Sequence, residues 1–326
     1  MQRSPFTEWF TCLPMRRIFH SILTLAIVVN VAACVSPGPE AVVEGPVRLT
    51  ASPIDEKFGD YWYQGLAEIT SYDLEQSRYG AMHPGTAVNI FVTEDLSRSR
   101  QVKLDDQGNG DRDAVTVLKL NATRKFNTGI YPYSIMTSVF TPVYRDRDPH
   151  TLKLTASIQE WCGQTFAQLN RTADGYRARH YSYFEDEGDA DEQIAETVLE
   201  DELWNIVRLN PTDLPTGPIR VMPAASYLRF SHSEWKPQSA SASVGRVNGE
   251  TDLMEFRLTY DSIPRELLIR YRAAFPFEIE YWEESGGRGA AGDELVTRAT
   301  MKERILLDYW TRNRPGDNVL RDQLGL

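Results

Sequence analysis

Cysteine is scarce in this chain. There are three in 326 residues, and only Cys162 lies beyond residue 34. The body of the chain therefore has no internal disulfide, and its stability must come from packing. Motifs of catalysis are missing too. There is no Gly-x-Ser-x-Gly elbow for a nucleophilic serine, and no His-Glu-x-x-His for zinc. The four histidines beyond residue 34 (His83, His150, His180 and His232) are scattered rather than paired. Carboxylates are plentiful, but no pair stands out by spacing. Positive charge is also short: 35 Lys and Arg face 46 Asp and Glu, a net charge of −11. Nucleic acid is excluded as a partner, because phosphate binding needs a basic face. Nor is there a long apolar run. The best, Ile22 to Val29 with Thr24 inside it, falls short of the roughly 20 residues that a spanning helix needs. No cofactor or metal is implied, and no repeat of fixed period is visible.

That short run has informative neighbours. Arg16-Arg17 precedes it and Val31-Ala32-Ala33-Cys34 follows, the layout of a secretory signal. Ending on small-small-Cys, the segment resembles the lipobox of bacterial lipoproteins. The resemblance implies cleavage between Ala33 and Cys34, a diacylglyceryl thioether on Cys34, and attachment to a membrane through N-terminal acyl chains. Each buried methylene of such chains adds about 0.8 kcal/mol, so they hold a protein without any spanning segment. Val35, where an Asp would retain a lipoprotein in the inner membrane of enteric bacteria, points to the outer membrane. Met15-Arg16-Arg17 opens as a signal normally does, so Met15 is the expected start. The first 33 residues carry three Arg and one Glu, so their removal takes the net charge from −11 to −13. Such a surface repels anionic lipid headgroups.

Residues 34–57, with Pro37, Pro39, Pro46 and Pro53, read as a lipidated tether. Residues 58–326 read as a β-rich domain, with a possible split into two sub-sheets near 210. Short β-branched and aromatic runs recur between turn signals: Leu66–Tyr79, Val88–Val92, Val115–Arg124, Tyr133–Val143, Leu152–Leu169 and Tyr176–Phe184. A second series runs through Ile219–Met222, Tyr227–His232, Leu253–Tyr260, Leu267–Arg272 and Phe277–Trp282. The Ser- and Ala-rich stretch Gln238–Gly249 reads as a loop, and Val296–Trp310 as a strand. One segment breaks the pattern. Asp191–Arg208 places Ile194, Val198, Leu203 and Val207 on a helical stripe, with an acidic opposite face. The expectation is a mainly β fold: a large curved antiparallel sheet or open barrel around one main helix at about 191–208.

Several stretches together resemble a family. Tyr61-Trp62-Tyr63-Gln64-Gly65, Arg78-Tyr79-Gly80, Phe91–Asp95, Glu160-Trp161-Cys162-Gly163-Gln164 and Leu199–Trp204 are similar to uncharacterised bacterial lipoproteins, over roughly residues 58–326. Some members are labelled septum formation inhibitors of the Maf type. Maf proteins carry Ser-Pro-Arg-Arg in a phosphate-binding loop, whereas here Ser52-Pro53-Ile54-Asp55 is the nearest match. The resemblance implies a shared fold and no established activity.

Four stretches are candidate sites, each with a plainer reading. Trp161-Cys162-Gly163-Gln164 copies half of a thioredoxin motif but has Thr165 where a sequel would need sulfur. The plainer reading is a small buried residue in a strand. Asp105–Asp113 alternates oxygen ligands as a calcium loop does, yet Thr116 stands where a bidentate Glu belongs. Glu185–Asp189 is a solvated loop or a site for a basic partner. The aromatic clusters, Tyr61-Trp62-Tyr63 above all, either line a groove or pack the core. Tyr61, Trp62, Tyr63, Glu160, Trp161 and Cys162 are the candidate face for a ligand or partner. The functional expectation is a non-enzymatic, lipid-anchored envelope protein binding an apolar ligand or an envelope protein. The alternatives are an envelope hydrolase acting on lipid or peptidoglycan, and a purely structural lipoprotein.

Overall fold

A computed structural model describes residues 49–105, 112–288, 292 and 294–326. Ala33, Cys34 and most of the Asp105–Asp113 tip lie outside the described residues. A short helix, α1 (Phe58–Trp62), leads into β1 (Ala67–Arg78), β2 (Ala81–Ser97), β3 (Ala114–Thr128), β4 (Tyr131–Pro142), β5 (Lys153–Glu160), β6 (Gly163–Thr172), β7 (Gly175–Tyr181), β8 (Ala190–Ala195) and β9 (Val198–Leu199). A 3-10 turn at Glu200–Glu202 continues into α2 (Leu203–Leu209). Then come β10 (Gly217–Met222), α3 (Ala225–Ser231), β11 (Gln238–Arg246), β12 (Leu253–Tyr260), β13 (Glu266–Arg272), β14 (Ile279–Arg288), β15 (Glu294–Leu307) and α4 (Val319–Gln323).

The fifteen strands form one sheet, ordered β8-β7-β6-β5-β4-β3-β2-β1-β15-β14-β13-β12-β11-β10-β9. Neighbours are antiparallel except β9 and β10, which run parallel. The protein is thus mainly β, with one large sheet that does not close. β1 sits inside the order between β2 and β15, which joins the two strand series. Residues near 210 therefore do not divide two sub-sheets. They follow α2, which starts from one edge of a single sheet. The edge strands β8 and β9 are separated in sequence only by Glu196 and Thr197. The sheet must curl back on itself to bring them together, and every residue of α2 is buried inside the curl.

Alternation explains most strands. In β5, Leu154, Ala156 and Ile158 face the core, and in β12 Phe256, Leu258 and Tyr260 do so. Where alternation fails, something covers the other face. Ala67 and Ile69 of β1 pack with Leu324 on the outside of the sheet, and Ser71 Oγ donates to the Leu324 carbonyl at 2.6 Å.

Three expected elements are corrected. The helix foreseen at 191–208 is confined to 203–209, because Ile194 and Val198 belong to β8 and β9. Of its acidic face, Glu192 is exposed on β8 but Glu200 and Glu202 are buried. Glu200 is buried against Arg265 and accepts from Tyr260 Oη at 2.8 Å. Glu202 is buried against His150 Nδ1 (3.1 Å) and the Thr151 N–H (2.7 Å). The loop foreseen at Gln238–Gly249 is mostly β11, with Ala240 and Ala242 inward and Ser239, Ser241 and Ser243 outward. The strand foreseen at Tyr227–His232 is helical: Tyr227–Ser231 lie within α3 and His232 caps it. The expected strand over Val296–Trp310 is β15 as far as Leu307, and Tyr309–Thr311 form a 3-10 turn. The described end of the expected tether lies on the domain: Leu49 is buried in the core and the Ser52 N–H donates to Asp213 at 3.1 Å.

Candidate functional site

Strand register makes a cavity on the inner face of β5–β7. Ala156 pairs with Ala167, and Ala167 with His180, so one row across three strands carries two methyl groups and then an imidazole. The small side chains leave space that α3 roofs over. The resulting cleft has a volume of about 390 Å³, within the range of small-molecule sites. Ile158 and Ala167 supply an apolar floor and Leu228 of α3 an apolar roof, while His180, Glu187, Arg229 and His232 supply a polar wall.

The roof is fixed by capping from afar. Glu200 Oε2 accepts from the Ala224 N–H (3.2 Å) and Asp201 Oδ2 from the Ala225 N–H (2.9 Å). These bonds satisfy donors that a helix start leaves unpaired. At the other end His232 adopts a left-handed backbone, φ +52°, and the Ser233 N–H bonds back to the Leu228 carbonyl, a C-terminal cap usually built with glycine. That turn sets His232 Nδ1 2.5 Å from Glu187 Oε1. Arg229 donates to the same oxygen at 3.2 Å and lies 4.1 Å over the Phe184 ring. Burial holds the Arg229 guanidinium below its ordinary pKa, with Glu187 opposing. Trp235, on the loop after α3, lays its ring along His180 with centroids 5.6 Å apart. His180 Nε2 has no hydrogen-bond partner and stands 3.7 Å from Glu192. Among the described residues no group of three or more His, Cys, Asp or Glu is placed to hold a metal ion. No described hydroxyl or thiol hydrogen-bonds to His180 or His232.

The foreseen site residues do not assemble. Tyr61 and Trp62 belong to α1 and Tyr63 caps it, at the end of the sheet where β1 begins. Trp62 is core, and Tyr61 Oη donates to buried Glu68 at 2.5 Å. Glu160, Trp161 and Cys162 lie at the opposite end, on the β5–β6 hairpin. Cys162 is not a buried strand residue. It occupies the hairpin turn and is exposed, and Glu160 beside it pushes its thiol pKa up. In the Asp105–Asp113 tip, Asp113 accepts from Ser97 and from the Ser99 N–H. Sequence reasoning touched the cleft only through the Glu185–Asp189 run, which contains Glu187. Nothing local marks His180, Arg229, His232 or Trp235.

No family model matches the chain, and no curated protein matches it. Among solved structures, the chain is similar to a β-barrel-like protein of a domain of unknown function, DUF1849, from Brucella abortus. Identity is 9% and the TM-score 0.44, over 74% of this chain and 98% of that one. Among the described residues no helix is long and apolar enough to cross a membrane.

Proposed function

We propose that this is a non-enzymatic envelope protein, lipid-anchored at Cys34 on the periplasmic side of the outer membrane, that holds an apolar ligand in the cleft under α3. The observation that carries the ligand reading is the cleft itself, 390 Å³ with an apolar floor and a polar wall, since small-molecule sites combine apolar lining with placed polar groups that fix orientation. The Glu187–His232 pair has the form of a base and its orienting carboxylate. With no described nucleophile bonded to it, a hydrolase is the weaker reading. Anchoring rests on the lipobox resemblance alone.

Native mass spectrometry of the chain from Val43 to Leu326, with lipid extraction, tests the ligand. The expected result is a stoichiometric apolar molecule that is lost in Ala167→Leu, which fills the floor. A clean apo mass from cells that make the native envelope refutes it. Metabolic labelling with palmitate tests the anchor: label expected in the full chain and absent in Cys34→Ala.

A further inference from the structure

Within β1–β8 the two ends of the sheet differ in chemistry. Because β1, β3, β5 and β7 run in one direction, the β1–β2, β3–β4, β5–β6 and β7–β8 connections all emerge at one end. The first three are two-residue turns: Tyr79-Gly80, Gly129-Ile130 and Trp161-Cys162. None of these six residues is charged, and three are large and exposed: Tyr79 (61%), Ile130 (85%) and Trp161 (67%). Tyr183 of the fourth connection is 69% exposed.

These tips form one patch. Tyr131 lies 6.3 Å from Trp161 and 5.8 Å from Tyr133, and Tyr79 Oη is 2.7 Å from Tyr133 Oη. Tyr183 packs on Gly163, where a β-carbon would meet its ring at 2.7 Å. Arg78 lies beneath, between the Tyr79 and Phe230 rings. The flanking β7–β8 loop is acidic, with Glu185, Asp186, Glu187 and Asp189. The opposite end also exposes aromatics, Tyr63, Tyr144 and Trp310, but sets them among Arg98, Asp146, Arg147, Asp148, Asp308 and Arg312.

We propose that the aromatic-tipped end docks on a bilayer surface of zwitterionic phospholipid. Tyr and Trp favour the headgroup level of membranes, where an apolar ring and a polar edge are both accommodated, and exposed Ile130 adds an apolar anchor. Aromatic faces and nearby carboxylates suit the ammonium of an ethanolamine or choline head, whereas anionic lipid is repelled by the acidic loop. The docking argument is independent of the ligand reading. Two residues of the cleft lining, Tyr181 at the end of β7 and Glu234 on the β10–β11 connection, lie at this same end.

The test uses Val43–Leu326, which is one compact unit and lacks the acylation site, so that acyl chains do not bind vesicles on its behalf. Phosphatidylethanolamine–phosphatidylcholine vesicles should sediment the protein at both low and high salt. Ile130→Ser with Trp161→Ser should weaken this by at least about tenfold, given the apolar surface removed, while Tyr144→Ser at the other end changes nothing. Unchanged thermal melts are expected, since both side chains are exposed. Brominated lipid should quench tryptophan fluorescence in the parent and less in Trp161→Phe, a conservative change that reads contact without threatening the fold. Absence of sedimentation overturns the proposal. So does retention by the double variant, or an equal loss in Tyr144→Ser. Vesicle binding that persists in Ala167→Leu upholds docking even if no ligand is found in the cleft.

Discussion

Replacing Arg208 by Met should destabilise the protein far more than an exposed arginine would. Arg208 closes α2 inside the curl and is 1% exposed. Its guanidinium grips Glu68 through two bonds, one of 2.6 Å from Nη2 to Oε2. Its Nε donates to the Pro276 carbonyl at 3.0 Å, and the group lies 4.9 Å from the Phe91 ring centre and 5.1 Å from that of Trp62. Removing one partner of a buried pair typically costs 3–5 kcal/mol, because the other charge is stranded. Glu68 would keep Tyr61 Oη and would still have Arg304 at 3.9 Å, so the expected cost is about 3 kcal/mol, at the lower end of that range. Glu68→Met should cost a similar amount. The double variant strands no charge and loses mainly the bonds to Tyr61 and Pro276, at about 1 kcal/mol each. It should therefore be only about 2–3 kcal/mol less stable than the parent, well under the sum of the singles. Urea unfolding read by tryptophan fluorescence measures all four proteins, with the shift in midpoint at constant slope reporting stability. Singles that add within about 0.5 kcal/mol refute the reasoning. So does an Arg208→Met cost below about 1 kcal/mol, because the pair would then contribute no more than a surface ion pair.

Other consequences follow from named residues. Burial alone would raise the Glu284 carboxyl, but Arg124 and then Arg265 overcome it and hold it at about 2, against an ordinary 4.5. The folded value lies below the unfolded one, so the stabilisation is complete above about pH 4.5 and is lost as pH falls towards 2. Glu284→Gln should trail the parent by about 3 kcal/mol at neutral pH, and urea titrations at stepped pH should find the gap closing on acidification. Cys162 should react with a maleimide in the folded Val43–Leu326 chain, and Glu160→Gln should speed that reaction at fixed pH by removing the carboxylate that raises its pKa; protection until unfolding contradicts the exposed turn. Gly175, at φ +136°, would place a β-carbon 2.1 Å from the Ile194 carbonyl oxygen. Gly175→Ala should cost roughly 2–4 kcal/mol and loosen β8, seen as faster amide exchange from Asp191 to Ala195.

What was legible in the sequence was local, and what was not came from register. Alternation in Leu152–Leu169 and turn residues between runs suffice for strands, because side chains two apart share a face. The same rule could have identified β11, where Ala240 and Ala242 alternate with serines, but small residues carry a weak burial signal. Tyr227–His232 is too short for period two and period 3.6 to be told apart. The helix was overextended for a different reason. Acids at 200–202 look like a wet face until Arg265 and His150, more than fifty residues away on either side, are known to meet Glu200 and Glu202. The cleft was hidden in the same way. Ala156, Ala167 and His180 are unremarkable singly, and only pairing places them in one row.

The position of the cleft follows from the way the sheet fails to close. The floor, β5–β7, belongs to the half that ends at β8, whereas the roof, α3, belongs to the β10–β11 connection beside the other edge at β9. A closed barrel would put a hydrogen-bond ladder along that junction. Here side chains span it instead: Arg229 of the roof donates to Glu187 of the β7–β8 loop at 3.2 Å, and His232 Nδ1 lies 2.5 Å from the same oxygen. Both edges are unsuited to pairing with another chain. β8 exposes Asp191, Glu192 and Gln193, and β9 is two residues long, devices that blunt strand addition. The opening is thus protected against sheet growth, and the cleft lies on its inner side. A junction made of ion pairs weakens with salt where it is exposed, whereas a backbone ladder does not. If the roof is held this way, raising salt should increase amide exchange in α3 and the 231–237 loop while leaving β1–β4 unaffected. Equal protection at low and high salt would show that Leu228 and the Glu200 and Asp201 caps hold the roof without help from Glu187.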